Sequence, residues 1–400
     1  MTYLYITPFF PSPNNWRGAY CLDFVKALKR QRSGMRVEVF VCGKSCDYEI
    51  DGVKVWRFEE KILPGFLFPF LFRCRNERSF LAAVRRAGVD VNDVVVCHGN
   101  TARFAIYPLA VKNLNPNCKT LLHHHDLASF GLNLGILHRC SLYNVWLFQK
   151  LRTFHEHIDC HVFISEASRR SFLAAPDSEW TVYDDYMAQM KGPKAFRCRQ
   201  AELKDSVVLH NGVDASIFKP RDARNGRKGF VIGSIGNFEV LKDQMTLLKA
   251  VDILGNREWV GAHGGIKTVF VGSGPERAKC EEYAKEKLLD AEFRDEVSHE
   301  ELPKFYNELD LFVLPSYFEG FGCVYTEALS CGVPFIACEG QGIEDVVAPE
   351  DKGKWLCKPR DAEDLASKIK SYIENRWGQK LTVPVDIDTL VAQFLEQIKI

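Results

Sequence analysis

The chain has no apolar run long enough to cross a membrane, no Cys-x2-Cys pair, no internal repeat and no net charge. Its longest apolar-looking stretch, Ile62–Phe72, is 11 residues broken by two prolines, where a spanning helix needs about 20. The start, Met1-Thr-Tyr-Leu-Tyr-Ile-Thr-Pro-Phe9, lacks the basic, apolar and small-residue segments of a secretion signal. The expected location is therefore the cytoplasm, with peripheral contact at the inner face of the membrane. Without a secretion signal, the 14 cysteines are expected as reduced, buried small hydrophobes. His155-Glu-His157-Ile-Asp-Cys160-His161 is not a His-Glu-x-x-His motif, because position 159 is Asp. The segment reads as a helix followed by a buried strand, and no metal site is expected.

Zero net charge hides an uneven distribution. Residues 1–175 hold 23 Lys/Arg against 14 Asp/Glu, and the remaining residues hold 29 against 38. A basic first half suits an anionic surface or an acidic ligand, or is simply solvated. No nucleic-acid partner is expected.

Alternation is what the chain has in quantity. Four hundred residues with 46% apolar content predict two globular domains. Short apolar runs at Tyr3–Thr7, Arg36–Val41, Val53–Phe58, Val94–His98, Thr120–His124, Cys160–Ile164 and Val207–Leu209 read as strands, with a helix at Cys21–Arg32. Residues 215–229 are charged and punctuated by Pro and Gly, as in a linker. The pattern then restarts at Phe230–Ile235, Thr268–Val271, Ala291–Phe293, Leu311–Leu314, Pro334–Ala337 and Trp355–Cys357. Helices are expected at Gln244–Leu254, Pro275–Lys287, Glu300–Leu309 and Tyr325–Ser330. This is α/β patterning: two Rossmann-like domains, 1–214 and 230–385, with a terminal helical segment at 386–400. Residues 176–205 are long for a connection and read as an inserted loop or a surface excursion.

The densest chemistry lies in Pro315-Ser-Tyr-Phe-Glu319-Gly-Phe-Gly322-Cys-Val-Tyr-Thr-Glu327-Ala-Leu-Ser-Cys-Gly-Val-Pro334. Two carboxylates separated by a Gly-rich turn and a helix start would both face a polyhydroxylated ligand whose anionic part sits at the helix N-terminus. The Glu-x7-Glu spacing resembles that of retaining glycosyltransferases of GT-B architecture, family 4 (glycosyl transferases group 1). That resemblance implies two domains facing across a cleft, the second binding a nucleotide sugar and the first an acceptor. It implies that the terminal helix crosses back to the first domain.

It also implies roles. Glu319 would meet donor-sugar hydroxyls and Glu327 the ribose. The backbone of Phe321, Gly322, Cys323 and Val324 would bind sugar or phosphate. In Ile232-Gly-Ser-Ile-Gly236-Asn237-Phe-Glu-Val-Leu-Lys242, Gly236 and Lys242 match the family's Gly and Lys, while Asn237 stands where the family has Arg. Lys242 would stabilise the departing diphosphate. Val269-Phe-Val-Gly-Ser-Gly274-Pro-Glu-Arg277 resembles the family's Gly-x-Gly-Pro-Glu turn. Arg277 occupies the third glycine of a dinucleotide fingerprint, so hydride chemistry is not supported. The segment from Val297 resembles the one that reads the base, although Ser298 and Glu301 also form a capping box on their own. In the first half, Gly18 matches one glycine of a phosphate-facing loop, beside Ala19. His125, in His123-His-His125-Asp126, aligns with the family's strand-end His.

The expected activity is transfer of a sugar from a nucleotide-diphosphate sugar, UDP-sugar foremost, to a hydroxyl of a glycan or lipid-linked acceptor. No cofactor or metal is expected, and bacterial surface polysaccharide is the expected product class. A nucleotide-sugar 2-epimerase of the same architecture and a non-catalytic binding relative are the alternatives. The aromatic stretch Phe66–Phe72 beside Arg73, Arg75 and Arg78 reads either as a lipid-facing surface or as a buried helix with a basic end.

Overall fold

A computed structural model describes residues 1–12, 18–44, 46–61, 72–125, 152–173, 203–221, 229–255 and 264–400. The aromatic stretch up to Leu71, most of the expected insertion (176–202) and residues 222–228 of the expected linker lie outside them. The chain divides into two compact units, Met1–Gly212 with Ile387–Ile400, and Val213–Asp386.

The first unit contains β1 (Thr2–Thr7), α1 (Ala19–Gln31), β2 (Arg36–Cys42), β3 (Tyr48–Ile50), β4 (Val53–Phe58) and α2 (Arg73–Arg86). There follow β5 (Val94–Gly99), α3 (Ile106–Leu114), β6 (Lys119–His124), β7 (Cys160–Phe163), α4 (Glu166–Leu173) and β8 (Ser206–Val208). Its sheet runs β3-β4-β2-β1-β5-β6-β7-β8. Every pairing is parallel except β3 with β4. β1 is buried along its whole length, because a central parallel strand is covered on both faces. Side chains alternate accordingly. Tyr3 and Tyr5 join the apolar cluster that contains α1. Leu4 and Ile6 join the one that contains Phe80 of α2 and Tyr107 of α3.

β3 is absent from the expected strands. It forms a hairpin with β4 through Asp51 (φ 48°) and Gly52 (φ 72°), the two left-handed positions of a type I′ turn that Asp-Gly supplies.

The second unit holds β9 (Phe230–Ile235), α5 (Gln244–Gly255), β10 (Ile266–Val271), α6 (Arg277–Glu286), β11 (Ala291–Arg294) and α7 (Leu302–Asn307). It continues with β12 (Leu311–Val313), α8 (Cys323–Ser330), β13 (Phe335–Cys338), β14 (Leu356–Cys357) and α9 (Ala362–Asn375). Its all-parallel sheet has the order β11-β10-β9-β12-β13-β14, the doubly wound dinucleotide-fold order. Residues 215–221, read as the start of a linker, fold with this unit: Phe218 is 1% exposed, and Ser330 Oγ donates to its carbonyl at 2.6 Å.

The terminal helix, α10 (Ile387–Gln397), belongs to the first unit. Leu390, Val391, Phe394 and Leu395 enter the same cluster as α1, and Phe394 meets Phe24 edge-on at 6.1 Å. Arg30 Nε donates to Asp388 Oδ1 at 2.8 Å. Most described cysteines are buried and all are unbridged, with Cys46 and Cys74 exposed. Among the described residues no helix is long and apolar enough to cross a membrane.

Phe394→Ala is expected to destabilise the first unit by roughly 3–5 kcal/mol, as for other buried Phe truncations. Denaturant unfolding of the full chain would show this as a lowered midpoint.

Candidate active site

In the second unit the connections from β9 and β12 diverge. β9 lies between β10 and β12, so the chain leaves β9 toward one edge of the sheet and later returns on its other side. The carboxyl ends of β9 and β12 therefore flank a topological switch point, the place where open α/β sheets bind ligands.

After β9 come Gly236, Asn237 and a short turn, Val240–Lys242. After β12 comes the segment carrying Glu319. The two loops are tied through the Leu241 carbonyl, which accepts from the Tyr317 N–H and the Ser316 hydroxyl, both at 3.1 Å. On this backbone frame Lys242 Nζ forms an ion pair with Glu319 Oε2. Both side chains are about one-fifth exposed (22% and 18%), so the pair is neither stripped of water nor fully screened. A further brace comes from Gln341, 1% exposed. Its Oε1 accepts from the Glu319 N–H at 2.7 Å, and its Nε2 donates to the Tyr317 carbonyl at 3.0 Å. Gln341 precedes a 3-10 turn, Gly342–Val346.

α8 starts at Cys323, two residues before the expected Tyr325, because Gly322 caps it at φ 84°. A Cβ at Gly322 would lie 2.6 Å from the Tyr325 ring and 3.0 Å from Cγ of Glu319, so only glycine lets the backbone pass this close to the carboxylate. Phe321, Cys323 and Val324 stand at the end of α8 where first-turn N–H groups point outward along the axis. The Phe321 side chain itself is core, 2% exposed. Glu327 lies further along α8, and the Tyr306 hydroxyl donates to its Oε2 at 2.7 Å.

Gly274 is a strut for this site. A Cβ there would lie 2.6 Å from the Phe238 carbonyl oxygen, and one at Gly272 would lie 2.3 Å from that of Gly236. Phe238 N–H donates to Ser273 O at 2.7 Å, and Glu276 N–H to Phe238 O at 3.0 Å. The Gly-x-Gly turn thus presses against the loop holding Gly236 and Asn237. Asn237 is exposed, and its carbonyl accepts from Gln244 Nε2 at 3.1 Å. Val297 is half-buried between β11 and α7.

One local expectation is corrected. Ser298 does not cap α7: the helix begins at Leu302, and Ser298 Oγ meets Glu301 Oε2 at 3.0 Å. Pro303 has no N–H for a carbonyl one turn earlier, which holds the helix start to its own first turn.

Gly18 and His125 belong to the first unit, which has its own switch point between β1 and β5. Gly18 caps α1 at φ 86°. His125 follows β6 directly, with its ring 3.9 Å from that of His123 and 5.1 Å from that of Tyr20 on α1. His123 stacks on His98 at 5.5 Å, and His98 Nδ1 bonds the Tyr3 hydroxyl at 2.8 Å. Strand alternation sends His124 to the opposite face, where its Nε2 lies 2.8 Å from His161 Nδ1. His161 Nε2 in turn bonds the His155 carbonyl at 3.0 Å. A carbonyl only accepts, so His161 carries its proton on Nε2 and accepts from His124. His155 and His161 are thus packing groups, and among the described residues no cluster suits a metal ion. Asn100, directly after β5, bonds Ile6 O through its N–H (2.7 Å) and Thr7 Oγ1 through Nδ2 (3.3 Å). Its Oδ1 and the Nε2 atoms of His98, His123 and His125 are buried with no partner among the described residues.

Burial holds these imidazoles neutral. It lowers His98 and His125 to about 3 and His161 to about 4, and lowers His123, His124 and His155 as well. An unfolded imidazole takes its proton near pH 6.5, so below that pH the unfolded chain binds more protons than the folded one. Stability is therefore full above about pH 6.5 and falls as pH drops toward 4, each imidazole costing roughly 1.4 kcal/mol per pH unit. Urea unfolding at a series of pH values should show this slope. His161→Phe should reduce it by about one proton, whatever it does to the absolute stability.

Residues 217–383 match the family model of glycosyl transferases group 1. The chain is 30% identical over 181 residues to the sulfoquinovosyl transferase SQD2 of Arabidopsis thaliana, covering 42% of this chain and 33% of that protein. It is 29% identical over 177 residues to a D-inositol 3-phosphate glycosyltransferase of Mycobacteroides abscessus, covering 40% and 38%. The chain thus spans between a third and two-fifths of these curated relatives. An uncharacterized glycosyltransferase of Methanocaldococcus jannaschii aligns over 90% of this chain and 85% of its own length at 22% identity. Among solved structures, sucrose-phosphate synthase of Thermosynechococcus elongatus superposes with a TM-score of 0.64 at 19% identity, covering 99% of this chain and 94% of that one. Anabaena HepE in complex with UDP and glucose superposes at 0.66 with 16% identity, covering 100% and 99%. The whole chain therefore has the GT-B fold of two parallel-sheet, Rossmann-like units, and its residues 217–383 match the model of glycosyl transferases group 1.

Proposed function

We propose that this protein is a retaining, metal-independent glycosyltransferase of family 4. It would move a sugar from a nucleotide-diphosphate sugar, a UDP-sugar foremost, to a hydroxyl of a glycan or lipid-linked acceptor. The observation that carries this reading is the Lys242–Glu319 pair at the switch point, with Glu327 further along the helix that starts between them and that carboxylate.

In the reaction, the acceptor hydroxyl forms a bond to the anomeric carbon on the face from which the diphosphate departs. The anomeric carbon–oxygen bond to phosphate breaks, and the hydroxyl proton passes to the departing diphosphate oxygen. No side-chain nucleophile is needed. Lys242 and the N-terminus of α8 oppose the charge that develops on the leaving group, while Glu319 orients the sugar and Glu327 the ribose. His125, neutral at pH 7, would act as a hydrogen-bonding group toward sugar or acceptor rather than as a cation. Gly18 would let its loop approach phosphate. A cytoplasmic role in surface polysaccharide assembly, at the inner face of the membrane, fits an acceptor of this class.

Asn237 favours a second reading. It is exposed and uncharged where the family carries Arg, so the chain would bind a nucleotide sugar without turning it over.

One experiment separates the readings: thermal shift against UDP, GDP, ADP, dTDP and CMP and their sugars, then release of nucleoside diphosphate with and without added acceptor lipids and oligosaccharides. Transfer is expected, with Lys242→Ala lowering kcat by about 10²- to 10³-fold, as for loss of one preorganised electrostatic partner. Binding without turnover would establish the second reading. Acceptor-independent conversion of the sugar would establish an epimerase. No binding to any nucleotide would remove all three.

A further inference from the structure

Tyr306 lies on α7 and is fully buried. Its hydroxyl donates to Glu327 Oε2 at 2.7 Å, although nothing in the local sequence around Glu327 announces such a partner. The ring is boxed by aromatic neighbours, with centroids at 5.4 Å for Phe305, 5.7 Å for Phe312 and 6.2 Å for Phe218. α7 itself is anchored by its next residue. Asn307 Oδ1 accepts from the Arg221 N–H at 2.7 Å, and Nδ2 donates to Lys219 O at 3.1 Å and Pro303 O at 2.7 Å. Ser330, at the far end of α8, bonds the same segment through Phe218 O at 2.6 Å. The phenol therefore approaches Glu327 from a framework that has no freedom to turn.

We infer that Tyr306 is a positioning residue for nucleoside recognition, fixing the rotation of the Glu327 carboxylate so that it reads ribose hydroxyls. A carboxylate at the end of a flexible side chain can turn about its last bond. A neutral, immobile O–H on one oxygen sets that torsion, and with it the directions in which the lone pairs point. Burial and the neighbouring Glu327 both push the Tyr306 hydroxyl well up from its ordinary value, so it remains a donor across the working pH range. The ligand class that such a pre-set carboxylate selects is a ribonucleoside diphosphate over its 2′-deoxy counterpart. This rests on the reading of Glu327 given above.

The test is isothermal titration of the full chain with UDP, GDP and their 2′-deoxy forms, on the wild type, Tyr306→Phe and Glu327→Ala. Tyr306→Phe keeps the ring and its packing, and its melting temperature reports the fold. The expected result is about tenfold weaker binding of the ribonucleotide in Tyr306→Phe, the scale of one charge-assisted hydrogen bond, with the 2′-deoxy form, which keeps only the 3′-hydroxyl, weakened clearly less. Equal weakening of both nucleotides would mean that Tyr306 only fills the core, and would overturn the inference. So would unchanged or tighter ribonucleotide binding, the latter meaning that Tyr306 competes with ribose for Glu327. A wild type that prefers the ribonucleotide, with Glu327→Ala abolishing the preference and Tyr306→Phe retaining it, would overturn the inference alone. A wild type that binds no nucleoside diphosphate would overturn the proposed function with it.

Discussion

Parallel strand pairing governs where chemistry sits in this protein. A parallel strand needs a crossover before its neighbour, so the loops that leave the strands gather at one end of the sheet, the carboxyl end. In the second unit, β9 is the strand from which the order diverges, and the loops that follow β9 and β12 meet there. Their meeting is made by backbone: the Leu241 carbonyl receives two donors from the other loop. The Lys242–Glu319 ion pair is the side-chain consequence of that junction, and Gln341 extends it to the loop after β13.

The electrostatics of the junction rest on few charges. With Asn at 237, the loop after β9 contributes a dipole and a carbonyl, and Lys242 is the cation that faces Glu319. The first unit works differently. Its switch-point region holds neutral, buried imidazoles and an amide, groups that act through hydrogen-bond direction rather than charge.

Much of this was legible in the residues. Strands buried on both faces, such as β1 and β9, announce themselves as short apolar runs, and the block from Glu319 to Pro334 drew attention to the segment that follows β12. The Asp51-Gly52 turn was also there to be read; the strand before it, Tyr48-Glu-Ile50, is too short to show a period. Tyr306 and Gln341 were not legible, because each acts on a residue about 20 positions away through a contact that only the packing of α7 or the loop after β13 creates. The His triplet shows the middle case. Its place at a strand end was evident, yet only the pleat separates His124, bonded to His161, from His123 and His125. Gly274 was legible only as part of a Gly-x-Gly turn; its immediate task, set by the 2.6 Å approach to Phe238, is to support the loop that holds Gly236 and Asn237.

The return of α10 to the first unit has a bearing on biosynthesis. Leu390, Val391, Phe394 and Leu395 complete a core whose other members come mostly from α1 and strands β1 to β7, while all of Val213–Asp386 lies between them in the chain. A nascent first unit must therefore hold an unfilled apolar groove throughout translation of the second. During that interval the groove is a surface for chaperones or for non-native docking, and the order in which the two units mature is opposite to the order in which they begin.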